Sequence, residues 1–105
     1  MKEANIHYGN TRLVGWINQS FVNGADLCTT LQEYLKYSRS GVFVALNCTT
    51  ALHYPNTGHY YIEYMFPDGV GNVLVRATSY TQNKIYTCQI DTSTWTLNTN
   101  WAAIL

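Results

Sequence analysis

Short runs of apolar and aromatic residues, separated by turn residues, fill the chain from Gly41 onward. Residues 41–47, 59–66, 72–79 and 84–90 are rich in β-branched or aromatic side chains and are bounded by Asn, Gly, Pro or Asp, which predicts four strands. Residues 101–105 predict a last strand. Because the turn at residues 67–69 and the other connections are short, neighbouring strands are expected to form antiparallel hairpins.

The segment before these strands has a helical period. Leu27, Leu31, Tyr34 and Leu35 fall on one stripe, and Asp26 stands where a helix cap is needed, so the pattern predicts a helix over residues 27–37. Residues 1–24 show no sustained period and are interpreted as a lead-in segment, with one short strand around residues 13–17. The predicted fold is therefore mostly β, an antiparallel sheet or small β-sandwich with one short N-terminal helix, in a domain spanning residues 25–105.

The strand at 59–66 divides its side chains between two faces. Even-numbered positions carry Tyr60, Ile62, Tyr64 and Phe66, and odd-numbered positions carry His59, Tyr61, Glu63 and Met65. We expect one face to lie in the core. The number of aromatic rings suggests that the other face is open to a contact with another subunit.

Charge and composition narrow the class of protein. The 105 residues carry six basic and six acidic side chains, a charged fraction of 11%, with 47% apolar and 14% aromatic residues. A nucleic-acid binder needs a concentrated excess of Lys and Arg, and a disordered tail lacks this much apolar content, so both classes are excluded. No apolar stretch resembles a signal peptide or a membrane span, so no membrane insertion is expected.

The reactive residues form no recognised catalytic or metal motif. Cys28, Cys48 and Cys88 lack Cys-x-x-Cys spacing, so neither a metal site nor a disulfide framework is predicted, and all three are expected to be buried thiols of a protein made in a reducing cytoplasm. The six acids are scattered, whereas glycosidase chemistry needs a close carboxyl pair. We therefore expect a protein with no enzymatic activity and no cofactor.

Several short motifs resemble one known family. They are the run at residues 25–31 (ADLCTTL), residues 40–44 (SGVFV), residues 60–63 (YYIE), residues 83–86 (NKIY) and the pair Trp95 and Trp101. Together they resemble the pyocin-type knob domain of phage tail fibres across residues 25–105. The resemblance implies a homotrimeric fibre tip on a virion tail or phage-like particle, assembled in the host cytoplasm and acting outside the cell. It further implies binding of a bacterial envelope glycan or another surface receptor.

Two loops between strands carry side chains suited to sugars, which are held by ring stacking and directional hydrogen bonds. The first contains His53, Tyr54 and Asn56, and the second contains Tyr80. Since Tyr54 precedes a proline, it is expected to be extended and to present its ring outward. An ordinary solvated turn is the alternative for the first loop.

Two further interpretations bear on the role of the domain. Trp95 and Trp101 are predicted to be core residues. The alternative function is a structural connector of a tail fibre or baseplate that makes no receptor contact.

Overall fold

The described residues fold into one main sheet with a single α-helix against it. The structure, a computed structural model, describes residues 7–8, 11–12, 21–67 and 69–105, with side chains from residue 21 onward. The elements are β1 His7–Tyr8, β2 Thr11–Arg12, β3 Phe21–Asn23, α1 Leu27–Tyr34, β4 Ser40–Cys48, a 3₁₀ turn at Thr50–Leu52, β5 Gly58–Met65, β6 Asn72–Ser79, β7 Ile85–Asp91 and β8 Thr96–Ala103. The predicted strand at 13–17 lies outside the described residues.

The main sheet has six strands in the order β3-β4-β5-β6-β7-β8, and β1 pairs with β2 separately. All neighbours from β4 to β8 are antiparallel, as the short connections predict. In contrast, β3 runs parallel to β4, because α1 carries the chain back between them. The mostly β prediction is confirmed, as one mixed sheet with one helix. β3 falls within the predicted lead-in segment and forms an edge of this sheet.

Asp26 fixes the start of α1. Its backbone is extended, and its Oδ2 accepts the backbone N–H of Thr29 at 2.9 Å and the Thr29 hydroxyl at 3.1 Å. This is the N-cap expected from the sequence. The helix ends at Tyr34, before the predicted residue 37, because the next turn tightens: Lys36 donates its backbone N–H to the Glu33 carbonyl, three residues back.

One side of the sheet is buried under α1. Leu27, Leu31 and Tyr34 face it from the helix. The buried strand residues are Phe43, Ala45, Cys48, Tyr60, Ile62, Tyr64, Val73, Val75, Ala77, Cys88 and Ile90. One face of β5 lies in the core, as the alternation predicts, and the structure shows that it is the face formed by Tyr60, Ile62 and Tyr64. Full burial of each large aliphatic side chain stabilises the fold by about 1.5–3 kcal/mol.

The opposite side of the sheet, called here the open face, is not covered by any described helix. Val42, Tyr61, Met65 and Leu74 are exposed there. β4 contains a one-residue bulge: Ala45 pairs with Tyr60 and Cys48 pairs with Gly58, so Asn47 is an extra residue on this strand. Because of the extra residue, the side chain of Cys48 faces the core, whereas strict alternation from Ala45 would turn it to the open face. Among the described residues, no helix has the length and apolar character needed to cross a membrane.

The cap at Asp26 yields a prediction about stability. Replacing Asp26 with Ala removes the acceptor for Thr29 and the partner of His53, so we expect a loss of about 1–2 kcal/mol in the free energy of unfolding. The exposed Glu33, which pairs with Lys36 on the same helix, is the matched control, and Glu33→Ala should cost less than about 0.5 kcal/mol. Urea unfolding followed by circular dichroism measures both. Equal losses for the two variants would contradict the cap.

The same carboxylate gives a pH dependence. Burial raises the pKa of Asp26, but hydrogen bonds from Thr29 and His53 outweigh it and hold the pKa below its ordinary value of 3.8. The ionised carboxylate therefore stabilises the folded state above that value, and the contribution disappears as the pH falls through the lower, folded-state pKa. We expect the difference between wild type and Asp26→Ala to be largest near neutral pH and to shrink below about pH 4.

The thiols yield a second prediction. Cys28, Cys48 and Cys88 are buried and not disulfide-bonded, as the sequence predicts. Burial raises the pKa of Cys28 and Cys48 to about 11 and that of Cys88 to about 12, so almost no thiolate is present at neutral pH. A thiol reagent followed by mass spectrometry should label the native protein slowly and the urea-unfolded protein at three sites. Rapid labelling of native protein would contradict this packing.

Candidate functional site

Two tyrosines form an exposed aromatic surface at one end of the open face. Tyr61 on β5 and Tyr80 just after β6 have ring centroids 4.6 Å apart with planes inclined at 34°, and the His59 ring lies 6.1 Å from Tyr80. Tyr61 is 53% exposed and Tyr80 is 41% exposed. These three side chains are called here the tyrosine platform. Partial desolvation and the neighbouring Tyr61 hydroxyl raise the pKa of Tyr80, so the Tyr80 hydroxyl is neutral at physiological pH.

The register of the strands places the platform. Tyr60 pairs with Ser79, so Tyr61 on β5 and the residue that follows β6 meet on the same side. The backbone N–H of Tyr80 donates to the His59 carbonyl at 3.1 Å and holds the start of the loop against β5. Ser79 Oγ accepts the N–H groups of Thr81 and Gln82, which closes the turn. The platform is thus attached to a rigid sheet and does not depend on a long loop.

Amide side chains flank the platform. Asn47, the bulged residue of β4, has a φ of +55° and donates its backbone N–H to His59 Nδ1 at 2.9 Å. A neutral His59 that accepts at Nδ1 carries its proton on Nε2. Asn47 Nδ2 donates to Asn23 Oδ1 at 2.7 Å, which joins the edge strand β3 to this corner. The corner therefore combines ring faces with exposed amide donors and acceptors.

A shallow groove of about 780 Å³ continues from the middle of the open face. One row of paired residues crosses it, from Val42 through Glu63, Arg76 and Thr87 to Ala102. Met65, Leu74, Gln89 and Thr99 line the next row. Glu63 and Arg76 stand directly opposite each other, and neither forms an ion pair with another described residue. The groove therefore exposes one acidic and one basic side chain, which are flanked by apolar side chains.

The structure does not bring the predicted ligand residues into one site. Tyr80 lies on the tyrosine platform, whereas His53, Tyr54 and Asn56 follow the 3₁₀ turn, and Tyr54 packs in the core on the helix side of the sheet. Tyr54 is only 2% exposed, so the prediction that its ring points outward is wrong. The proline after Tyr54 restricts its backbone but does not determine which way the side chain turns.

The other two residues of that loop have separate surroundings. His53 is half-buried, has a φ of +73°, and its Nδ1 lies 2.5 Å from Asp26 Oδ1. Its carbonyl accepts the indole N–H of Trp101 at 2.8 Å. Asn56 is exposed. His53 therefore forms hydrogen bonds with the helix cap and with β8. This role is neither the glycan contact nor the ordinary solvated turn that the sequence suggested.

The two tryptophans pack as predicted. Trp95 and Trp101 are partly buried against the core, and Trp101 lies in the stretch of β8 between Thr99 and Ala102 that carries an extra residue relative to β7. This bulge bends the edge strand and turns the indole toward the loop at His53. Both side chains therefore stabilise the fold on the helix side.

The alternation along residues 59–66 places His59 and Tyr61 on the face opposite Tyr60, but neither was among the predicted ligand residues. The signal that pairs Tyr61 with Tyr80 is the length of the β5–β6 hairpin, because its register decides which residue of the next loop meets Tyr61. The alternation along 59–66 is visible in the sequence. The register of the hairpin is not visible, because the sequence around residues 67–71 does not specify how many residues form the turn.

No family model matches this chain, and searches of the curated proteins and of solved structures returned no significant similarity. The chemistry of the open face is therefore the basis for a functional proposal, together with the motifs in the sequence. Stacked phenol rings offer flat apolar faces, and the neighbouring amides and imidazole offer directional hydrogen bonds. This combination suits the C–H faces and hydroxyls of a sugar.

The burial of Tyr54 yields a third prediction. Its hydroxyl is buried without a hydrogen-bond partner among the described residues, so Tyr54→Phe should leave the free energy of unfolding unchanged or raise it by up to about 1 kcal/mol in metal-free buffer. Tyr54→Ala should lose about 3–5 kcal/mol because it leaves a cavity. Urea unfolding distinguishes these outcomes. A Tyr54→Ala variant as stable as wild type would contradict the burial of this ring.

Proposed function

We propose that this chain is a non-enzymatic knob domain at the tip of a phage tail fibre or fibre-like particle, that it assembles as a homotrimer, and that it binds a bacterial surface glycan. The observation that carries the binding proposal is the tyrosine platform, in which the exposed rings of Tyr61 and Tyr80 lie against each other at a tilt and a backbone hydrogen bond joins Tyr80 to His59 of β5. The resemblance of residues 25–105 to pyocin-type knobs supports the setting on a fibre.

The position of the platform supports recognition of an extended ligand. Tyr61, Tyr80 and His59 lie at one end of the open face, and the groove that contains Glu63 and Arg76 continues from the same face. A glycan chain stacked on the rings can place its next residues over polar side chains of the groove. Since these groups come from adjacent strands, little loop ordering is needed on binding, which limits the entropic cost.

A low surface charge also favours an uncharged ligand. The chain has equal numbers of acidic and basic residues, and the hydrogen-bonding groups near the platform are mainly neutral amides and hydroxyls. Electrostatic steering of a polyanion would require an excess of Lys or Arg. The proposed ligand is therefore a neutral or weakly charged sugar chain of the cell envelope.

A connector module is the second candidate, because apolar side chains line the groove. Val42, Met65 and Leu74 are exposed, and apolar side chains in such a position are common at subunit contacts. In this case the open face would be covered by another fibre protein and would make no receptor contact.

The fourth prediction tests the glycan proposal by adsorption of fluorescently tagged protein to candidate host cells. Tyr61→Ala and Tyr80→Ala should each weaken binding by about 1–2 kcal/mol per site, about 5- to 30-fold, because each removes one stacking ring. Tyr37→Ala is the matched control, since Tyr37 is 74% exposed and follows the helix, away from the open face. Thermal unfolding of all variants separates lost binding from lost folding.

The outcomes distinguish the two candidates. The glycan proposal requires wild type and Tyr37→Ala to adsorb alike and both platform variants to adsorb weakly while remaining folded. Competition by polysaccharide extracted from the same cells should abolish adsorption of the wild type. A connector predicts no adsorption of the wild type to any strain that the particle infects. Unchanged adsorption of the double variant Tyr61→Ala/Tyr80→Ala would overturn the platform as the site.

A further inference from the structure

Three potential metal ligands converge on the helix side of the sheet, away from the tyrosine platform. They are Asp26, Cys28 and His53, and one carboxylate oxygen, the thiol sulfur and one imidazole nitrogen all lie within 4.8 Å of one another. Two come from the start of α1 and one from the 3₁₀ turn 25 residues or more further along the chain. We propose that this cluster is a binding site for a divalent zinc-like cation.

The donor set selects the class of metal. Thiolate, imidazole and carboxylate are the three protein ligands found on zinc, whereas calcium and magnesium prefer oxygen donors alone. A thiolate and a carboxylate together balance the charge of a divalent ion. In a tetrahedral site with bonds of about 2.0–2.3 Å, ligand atoms lie about 3.3–3.8 Å apart. Small rotations of these side chains therefore convert the observed cluster into that geometry.

The surrounding contacts orient the ligands. Asp26 Oδ2 is held by two donors from Thr29, which leaves Oδ1 directed at His53. The indole of Trp101 fixes the His53 carbonyl. Supporting hydrogen bonds of this kind hold metal ligands in position in known sites. In the metal-free form, the hydrogen bond between His53 Nδ1 and Asp26 Oδ1 occupies the space between two of the ligands.

A second, independent observation comes from Tyr54. Its hydroxyl is buried and has no hydrogen-bond partner among the described residues. Tyr54 directly follows His53 in the chain and packs in the same buried core cluster as Cys28. A water bound to the metal in the fourth position would give this orphaned hydroxyl a partner, and burial of an unpaired hydroxyl is otherwise costly.

Access to the site is asymmetric. Cys28 is buried, whereas the side chains of Asp26 and His53 are partly exposed, so an ion can enter from the side of the loop. Burial raises the pKa of the Cys28 thiol to about 11, and a bound divalent cation would displace its proton to solvent. The absence of Cys-x-x-Cys spacing argued against a metal site formed by neighbouring cysteines. It does not argue against a site whose ligands come together from separate parts of the chain.

The fifth prediction uses cobalt as a spectroscopic probe and zinc as the stabilising ion. One equivalent of cobalt added to the reduced wild-type chain should give a thiolate-to-cobalt charge-transfer band, and zinc should abolish the band by competition. Zinc should also raise the melting temperature, because it binds only the folded chain. Cys28→Ser should lose the band, because it removes the thiolate. Both Cys28→Ser and His53→Asn, which retains a side chain tolerant of positive φ, should weaken zinc binding by about tenfold or more.

Cys88→Ser is the matched control, because Cys88 is also a buried thiol but is not part of the cluster. It should retain the band. If Cys28→Ser fails to fold, His53→Asn alone decides the result through the zinc-dependent change in melting temperature. The proposal is overturned if folded wild type shows no thiolate band, if the band persists in Cys28→Ser, or if His53→Asn binds zinc like wild type. None of these outcomes depends on glycan binding.

Discussion

A single eight-residue helix is the only described helix that packs on a sheet of six strands, and this constraint determines the rest of the molecule. Leu27 and Leu31 are buried in one core cluster with side chains of β4, β5 and β6, so one side of each of these strands belongs to the core. The other side must then tolerate solvent or a ligand. The exposed rings of Tyr61 and Tyr80 and the groove that contains Glu63 and Arg76 are consequences of that one-sided packing.

Local irregularities then determine which side chains meet. The extra residue Asn47 keeps Cys48 in the core and also places a backbone donor on His59. The bulge in β8 opposite Cys88 turns Trp101 toward His53. These two bulges bend strands at opposite edges of the antiparallel part of the sheet. Each joins the sheet to a neighbouring loop at a point where polar side chains collect.

Local sequence patterns predicted the helix cap at Asp26, the division of β5 into two faces and the mostly β class, and the spacing of the cysteines predicted buried thiols. These features depend on local sequence patterns, in which a residue's face follows from its position in a strand or helix. The burial of the Tyr54 side chain could not be predicted, because the direction of its ring depends on packing against the helix and on the turn at Thr50–Leu52. The parallel pairing of β3 and the meeting of Tyr61 with Tyr80 depend on long-range register, which short motifs do not encode.

The proposed binding side of the sheet is the open face, opposite the side that packs against α1, and amide chemical shifts measure ligand contact on each side residue by residue. The experiment records spectra of isotope-labelled protein during titration with soluble envelope polysaccharide from a strain to which the domain adsorbs. The account predicts shifts at Tyr61, Tyr80 and Asn47, with α1 unchanged. Shifts confined to α1 and residues 53–56, with the open face unperturbed, would contradict it.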